Sequence, residues 1–142
     1  MDWNGVLILI KLLLILLLSI VSSASDIQIE KKIYETFFAA LSKKVKPSVY
    51  IDVHIPSLEL DTDKFSLVSS CQKADIVIVT KKTIDAGCEK KIIFGTRYRH
   101  LKKVYVLGAF FWQKGRPNIV FKRQQLDSKK IKLPHALQEF IE

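Results

Sequence analysis

The chain has 142 residues, a formal net charge of +9 at pH 7 and 49% hydrophobic residues. That length supports one domain around one core and is too short for two. The basic balance suits an anionic lipid, an acidic partner or an anionic ligand, or is simply a solvated surface, because net charge governs association and not mechanism.

Residues 6–25 read VLILIKLLLILLLSIVSSAS. The run Leu12–Ile20 is apolar except for Ser19, and Ser22, Ser23, Ala24 and Ser25 follow it. An apolar core ahead of small residues is the pattern of a secretory signal peptide, and the pair Ser22/Ala24 places cleavage after Ala24. Asp2 and no Lys or Arg precede Lys11, which sits inside the apolar run. A start near Leu9 or Ile10 would put Lys11 in a charged n-region, so the leader is expected to begin a few residues after Met1. The alternatives are a buried core helix and an uncleaved anchor, the run Val6–Val21 of 16 residues being slightly shorter than the roughly 20 that span a bilayer. Cleavage leaves 25–142 as a single exported domain in an oxidising compartment, the periplasm, where nucleic acid is not an expected partner.

Ser25–Val45 reads as a helix, with Ile29, Ile33, Phe37, Leu41 and Val45 in one stripe and Phe38 beside it. Ser25 and Gln28 resemble a capping box. Lys43, Lys44 and Lys46 suit the helix C-terminus, and Pro47 stops it. Val49, Ile51, Val53 and Ile55 alternate with Tyr50, Asp52 and His54 as a half-buried strand ending at Pro56. Asp61–Val68 reads as a short helix with Phe65 and Val68 inward and Leu67 beside them. Ala74–Val79 has the length and apolarity of a central strand covered on both faces. Ile92–Phe94 is a second short strand and Val104–Trp112 a long third one. A turn over Gln113–Pro117 pivots on Gly115, and Asn118–Lys122 returns as the second arm of a hairpin. Arg123–Lys132 is polar and basic. Pro134 opens a last helix, with Leu133, Leu137, Phe140 and Ile141 on one face. The expected fold is α/β or α+β: one mixed sheet of about five strands flanked by N- and C-terminal helices.

Two cysteines, Cys71 and Cys88, fall in the exported part. In that compartment a pair most often forms one disulfide, worth about 3 kcal/mol for a loop of this length. A redox switch and free thiols stay open. A metal site is disfavoured, because no histidine lies near enough to complete a ligand set. Each cysteine lies a few residues ahead of a strand. If those strands are parallel neighbours, both thiols sit at one sheet edge.

His54, His100 and His135 lack metal spacing, Ser69 and Ser70 lack a nucleophile context, and Asp61/Asp63 read as a surface turn. No enzyme activity and no cofactor are expected. Two segments carry recognition chemistry instead. The first is GAFFWQKGRPNIVF, with Phe110, Phe111 and Trp112 ahead of Lys114 and Arg116. In a strand Phe110 and Trp112 share one face and Phe111 takes the other, so either some aromatic surface is exposed for a partner or all three pack in the core. The second is RYRHLKK, with Arg97, Arg99, His100, Lys102 and Lys103 just past a strand end. It is either an anion-binding cluster or a solvated basic face.

From Cys71 to Ile141 the chain resembles the YfiR family of small periplasmic regulators. The residues that carry the resemblance are CQKADIVIV, IIFGT, the glycine-led LGAFFW, the hairpin KGRPNIVF and a tail spaced by Leu126, Ile131 and Leu137. The helix IYETFFAALSKKVKP is similar to the family's N-terminal helix. The chain departs from the pattern at Leu107–Gly108, where a double glycine is usual, and at Phe121–Gln124. The resemblance implies an exported, disulfide-bearing α/β domain that restrains a membrane diguanylate cyclase, with Cys71 and Cys88 as the structural disulfide and Phe110–Arg116 as the contact surface. The expected function is therefore a non-enzymatic regulator of an inner-membrane signalling partner, a cyclase or a sensor. The competing expectation is a small binding module for an anionic solute at the end of the ADIVIV strand, near Thr80, Lys81 and Lys82. The exposed hairpin would serve equally as a homodimer face.

Overall fold

The computed structural model describes residues 3–81, 83–84 and 87–142, the side chains of 16–25 excepted. One long helix opens the chain, α1 (Trp3–Leu41), and it runs without a break through Ser25. Ser22–Ser25 contains neither Gly nor Pro, so nothing there interrupts helical hydrogen bonding, and no helix start falls at Ser25. The first part of α1 is bare: Leu9, Ile10, Leu12, Leu13, Leu14 and Ile15 are all exposed. Among the described residues no helix is long and apolar enough to cross a membrane.

The packed part of α1 presents Tyr34, Phe37, Phe38 and Leu41 to the core. This is a 3–4 spacing, not the strict fourth-residue stripe the sequence suggests. A strict i+4 row drifts around a helix of 3.6 residues per turn. Accordingly Ile29 lies exposed and Val45 is fully exposed beyond the helix end, while Tyr34 takes a core position the stripe had missed.

Six strands form one sheet in the order β2-β1-β3-β4-β5-β6. They are β1 (Ser48–Ile51), β2 (Ser66–Leu67), β3 (Ile76–Val79), β4 (Ile92–Gly95), β5 (Gly108–Gln113) and β6 (Arg116–Phe121). All neighbours are parallel except β5 and β6, which pair as an antiparallel hairpin. The fold is α/β with a mixed sheet, as expected, with six strands rather than five. The additional strand is β2, where a helix over Asp61–Val68 was expected. That segment buries only Phe65 and Leu67 is exposed, too little for a helix face. Its backbone instead satisfies the open edge of β1, with Ser66 and Val68 donating to the Pro47 and Val49 carbonyls.

The two faces of the sheet are covered differently. Ile76, Ile78, Val49, Phe94, Phe110 and Phe121 meet α1 and the C-terminal segment. Val77, Val79, Ile93 and Val106 meet loops that carry the Cys71–Cys88 disulfide. The bond spans a Cα–Cα distance of 6.0 Å, and both cysteines are buried. It stands where a second helix layer would stand in a larger domain, and it follows from β3 and β4 being parallel neighbours.

The long strand expected over Val104–Trp112 is shorter. Val104 is exposed, and the chain runs as a 3-10 turn over Tyr98–Lys102 before β5 begins at Gly108. A Cβ on Gly108 would collide with the Val120 carbonyl and the Phe94 ring. The hairpin turn is Lys114–Gly115, with φ of 52° and 73°, the two-residue type that matches strand twist. A short helix, α2 (Arg123–Ser128), occupies part of the stretch read as polar and basic, anchored by buried Leu126. Its C-terminus is capped by Lys130 N–H on the Asp127 carbonyl and Ile131 N–H on the Leu126 carbonyl. In this cap Lys130 takes φ 55°, a left-handed position where glycine is the usual residue and others cost about 1–2 kcal/mol. The last helix is a 3-10 turn, His135–Phe140, and Ile141 bridges to Phe121.

Asp75 fastens β1 to β3. Its carboxylate accepts from the Ser48 N–H at 2.8 Å, the Ser48 hydroxyl at 2.9 Å and the Lys44 ammonium at 2.7 Å. Burial alone would raise this carboxyl; the hydrogen bonds and the Lys44 charge outweigh it and hold the group below its ordinary range. A carboxylate depressed on folding contributes stability that is present above about pH 4 and lost as pH falls through the folded value. The wild type should therefore lose stability as pH falls below about 4, and Asp75→Asn should be flatter there in urea titrations. A variant as acid-sensitive as the wild type would remove this role. Gly108→Ala should cost about 1–3 kcal/mol in the same assay through overpacking.

Candidate docking site at the carboxyl end of the parallel strands

Strand order reverses between β1 and β3, so their connections leave in opposite directions and open a crevice at the carboxyl end. The residues just past the strands meet there. Asp52 follows β1, Thr80 and Lys81 follow β3, and Thr96 and Arg97 follow β4. The Asp52 carboxylate accepts from Thr80 N–H at 2.8 and 3.0 Å and from Lys81 N–H at 2.8 Å. It thereby occupies the amides that an anionic solute at the end of the ADIVIV strand would use. Lys82, the other residue expected at that site, lies outside the described residues. Thr96 donates its hydroxyl to the Val79 carbonyl at 3.1 Å and its Oγ1 lies 3.2 Å from that of Thr80.

His100 is the structural pivot of the 3-10 turn. Its Nδ1 accepts from the Thr96 and Arg97 N–H groups at 3.1 and 3.2 Å, so the proton of the neutral ring sits on Nε2. The ring is buried and lies against Gly95, where a Cβ would strike it. Burial first, then the Arg99 and Arg97 charges, push the imidazole below the ordinary histidine range, against opposing contributions from the Lys81 backbone and Asp52. His100 is thus neutral and already committed. Its assignment as an anion-binding cation is corrected. Arg97, Arg99, Lys102 and Lys103 are exposed, and their turn is held out by the imidazole.

The hairpin sorts its aromatics by depth. Phe110 is buried, with its ring centroid 5.2 Å from Tyr34 and 5.9 Å from Phe37. It belongs to the core and also lines the cavity beside Trp112, so it forms part of the site's wall rather than the expected exposed contact. Phe111, on the opposite face, is half-buried and packs edge-on against exposed Tyr98 at 5.8 Å. Trp112 is 41% exposed. Its indole N–H donates to Glu30 of α1 at 2.7 Å, and the Ser57 hydroxyl donates to the other Glu30 oxygen at 2.7 Å. Lys114 and Arg116 are exposed at the turn. Tyr34 stays protonated well above the tyrosine range, first through burial and then through the Glu30 charge.

The two recognition segments therefore converge. Arg97 from the basic turn and Phe111 and Trp112 from the hairpin line one cavity of about 230 Å³, with Glu30, Thr80 and Thr96 as its polar wall and Tyr34, Ile55 and Phe110 as its apolar one. Sequence reading had missed Glu30 and Tyr98. Glu30 lies one turn ahead of Tyr34 on α1, and only the register of α1 against β5 brings it to Trp112. Among the described residues no group of three or more His, Cys, Asp or Glu is placed to hold a metal ion.

No family model, curated protein or solved structure matches the chain.

A lowered histidine pKa has a definite pH signature. Stability that depends on neutral His100 is present above about pH 6.5 and is lost as pH falls toward the folded value. Protonated Nδ1 cannot accept, so the Thr96 and Arg97 amides lose their partner. Hydrogen exchange corrected for its intrinsic rate should show their protection falling as pH drops below about 6.5, with the β3 amides unaffected. Unchanged protection of Thr96 and Arg97 would refute the tether.

Proposed function

We propose that residues 25–142 form an exported, non-enzymatic regulatory domain. It docks an acidic segment of a membrane signalling protein at the carboxyl end of the sheet. The observation that carries this reading is the convergence of Arg97, Phe111 and Trp112 on one cavity, beside exposed Tyr98. Aromatic and Arg side chains around a small pocket are the chemistry of interface hot spots. Arg99, Lys114 and Arg116 add exposed positive charge around it, which favours an acidic partner and speeds encounter. Asp52 and His100, the polar groups nearest a catalytic type, are both held in backbone hydrogen bonds. That arrangement supports a binding role.

The export part of the proposal is supported by the leader pattern and by the intramolecular disulfide. The resemblance to YfiR-type regulators favours a diguanylate cyclase or sensor of the inner membrane as the partner. A second reading, a small anionic solute in the same cavity, draws on Arg97 and the Thr80 and Thr96 hydroxyls. Glu30 on the wall disfavours an anion seated inside the cavity, whereas an acidic segment would meet the exposed Arg99, Lys114 and Arg116 outside it.

Crosslinking pull-down from the native envelope tests the proposal. Wild type should retain an inner-membrane signalling protein, and Trp112→Ala/Arg116→Glu should bind it about thirtyfold or more weakly, as expected for a hot-spot aromatic. Equal retention by both variants would sink the assigned surface. A bait that retains only itself would favour a homodimer, and a saturable thermal shift with one small anion would favour the solute reading.

A further inference from the structure

The opposite, amino-terminal end of the sheet has a chemistry of its own. A pocket of about 590 Å³ lies there, within the range of small-molecule sites. Six lysines line it: Lys43 and Lys44 after α1, Lys90 before β4, and Lys129, Lys130 and Lys132 around the end of α2. Asp75 is the one carboxylate among its described lining residues, and it is engaged by Lys44 and Ser48. Leu41, Ile92 and Ile131 form an apolar floor, which strengthens electrostatic attraction at the surface above it. Lys43 and Lys44 also suit the α1 C-terminus. Lys90, Lys130 and Lys132 have no such explanation, since they arrive from other segments.

Lys130 supplies an independent observation. It occupies the left-handed cap position of α2, where glycine is the residue that fits without strain. A strained residue kept at a pocket rim points to use of its side chain. Lys129 is held differently: its ammonium donates to the Lys90 carbonyl at 2.9 Å, which ties two of the lysine-bearing segments together.

We propose that this lysine pocket binds a ligand with two or more phosphate groups, either free or at the head of a lipid. A single negative charge would leave most of the pocket's positive charge unbalanced. Ammonium groups suit phosphate because they act as compact point charges and demand no fixed planar geometry. The site is separate from the docking surface and does not rest on that reading.

The test is calorimetric titration of the full chain with pyrophosphate, alongside flotation with vesicles of cardiolipin in phosphatidylcholine. Wild type should bind pyrophosphate saturably at one site, and Lys43→Gln/Lys132→Gln should weaken it about tenfold. Lys32→Gln/Lys64→Gln, a charge-matched control outside the pocket, should bind as wild type does. Lys130→Gly is the sharpest arm. It should raise Tm by a few degrees while weakening pyrophosphate several-fold, and damage to the fold cannot produce both. Flotation with cardiolipin that pyrophosphate displaces assigns a lipid headgroup; pyrophosphate binding without flotation assigns a soluble ligand. Equal weakening in the control pair would reduce the effect to net charge and overturn the site. Absence of both saturable binding and flotation would overturn it as well.

Discussion

The ring of Phe37 is the contact on which the rest of the molecule is registered. It lies 5.2 Å from Phe94 of β4, 5.9 Å from Phe110 of β5 and 5.6 Å from Phe121 of β6. One helical side chain thus fixes three strands against α1. Edge-on and tilted aromatic pairs of this kind add to simple area burial because their geometry is specific. Rotation of α1 by one residue would turn Phe37 about 100° away from these rings, so the helix has a single register. That register carries Tyr34 onto Phe110 and, one turn further, Glu30 onto Trp112. Core packing therefore sets the geometry of the candidate docking site through Tyr34 and Phe110, which belong to both.

On the other face the described aromatic residues, Tyr50 and Tyr105, are only partly buried against the cluster. Val77, Val79, Ile93 and Val106 are small and branched, and what covers them is loop. Loops bury little apolar area per residue and gain their order at a high conformational cost. The Cys71–Cys88 bond reduces that cost by restricting the unfolded chain. The two faces thus solve the same burial problem by different means, rings on one side and a covalent link on the other.

Central features were legible in the sequence because they depend on local period and spacing. The apolar run ending β3, the glycine turn of the hairpin and the cysteine pair beside two parallel strands each carry their signal within a few residues. Features that depend on distant partners were not. Phe110 and Trp112 look alike in a strand, and only α1 crossing over one of them makes it core. His100 reads as a cation among arginines, yet two amides behind it make it an acceptor. Asp52 alternates like any strand residue until β3 is placed beside β1. The strand β2 is invisible to periodicity, since two residues pairing with an open edge need no apolar face.

The two ends of the sheet carry opposite relations between stability and charge. At the carboxyl end Asp52 and His100 Nδ1 close backbone amides and Glu30 takes both an indole and a hydroxyl, although the buried Nε2 of His100 has no hydrogen-bond partner among the described residues. Recognition there is left to side chains on a braced frame, which costs the fold little. At the amino end Asp75 neutralises Lys44 alone among six lining lysines, and Lys130 sits where its backbone is strained. Like charges gathered around one cavity repel one another, and a strained cap subtracts from helix stability. A multivalent anion would screen the repulsion, and its contact with the Lys130 side chain would offset the strain without relieving it. Ligand binding and folding would then be linked at that end, while at the other end binding would leave the scaffold as it stands.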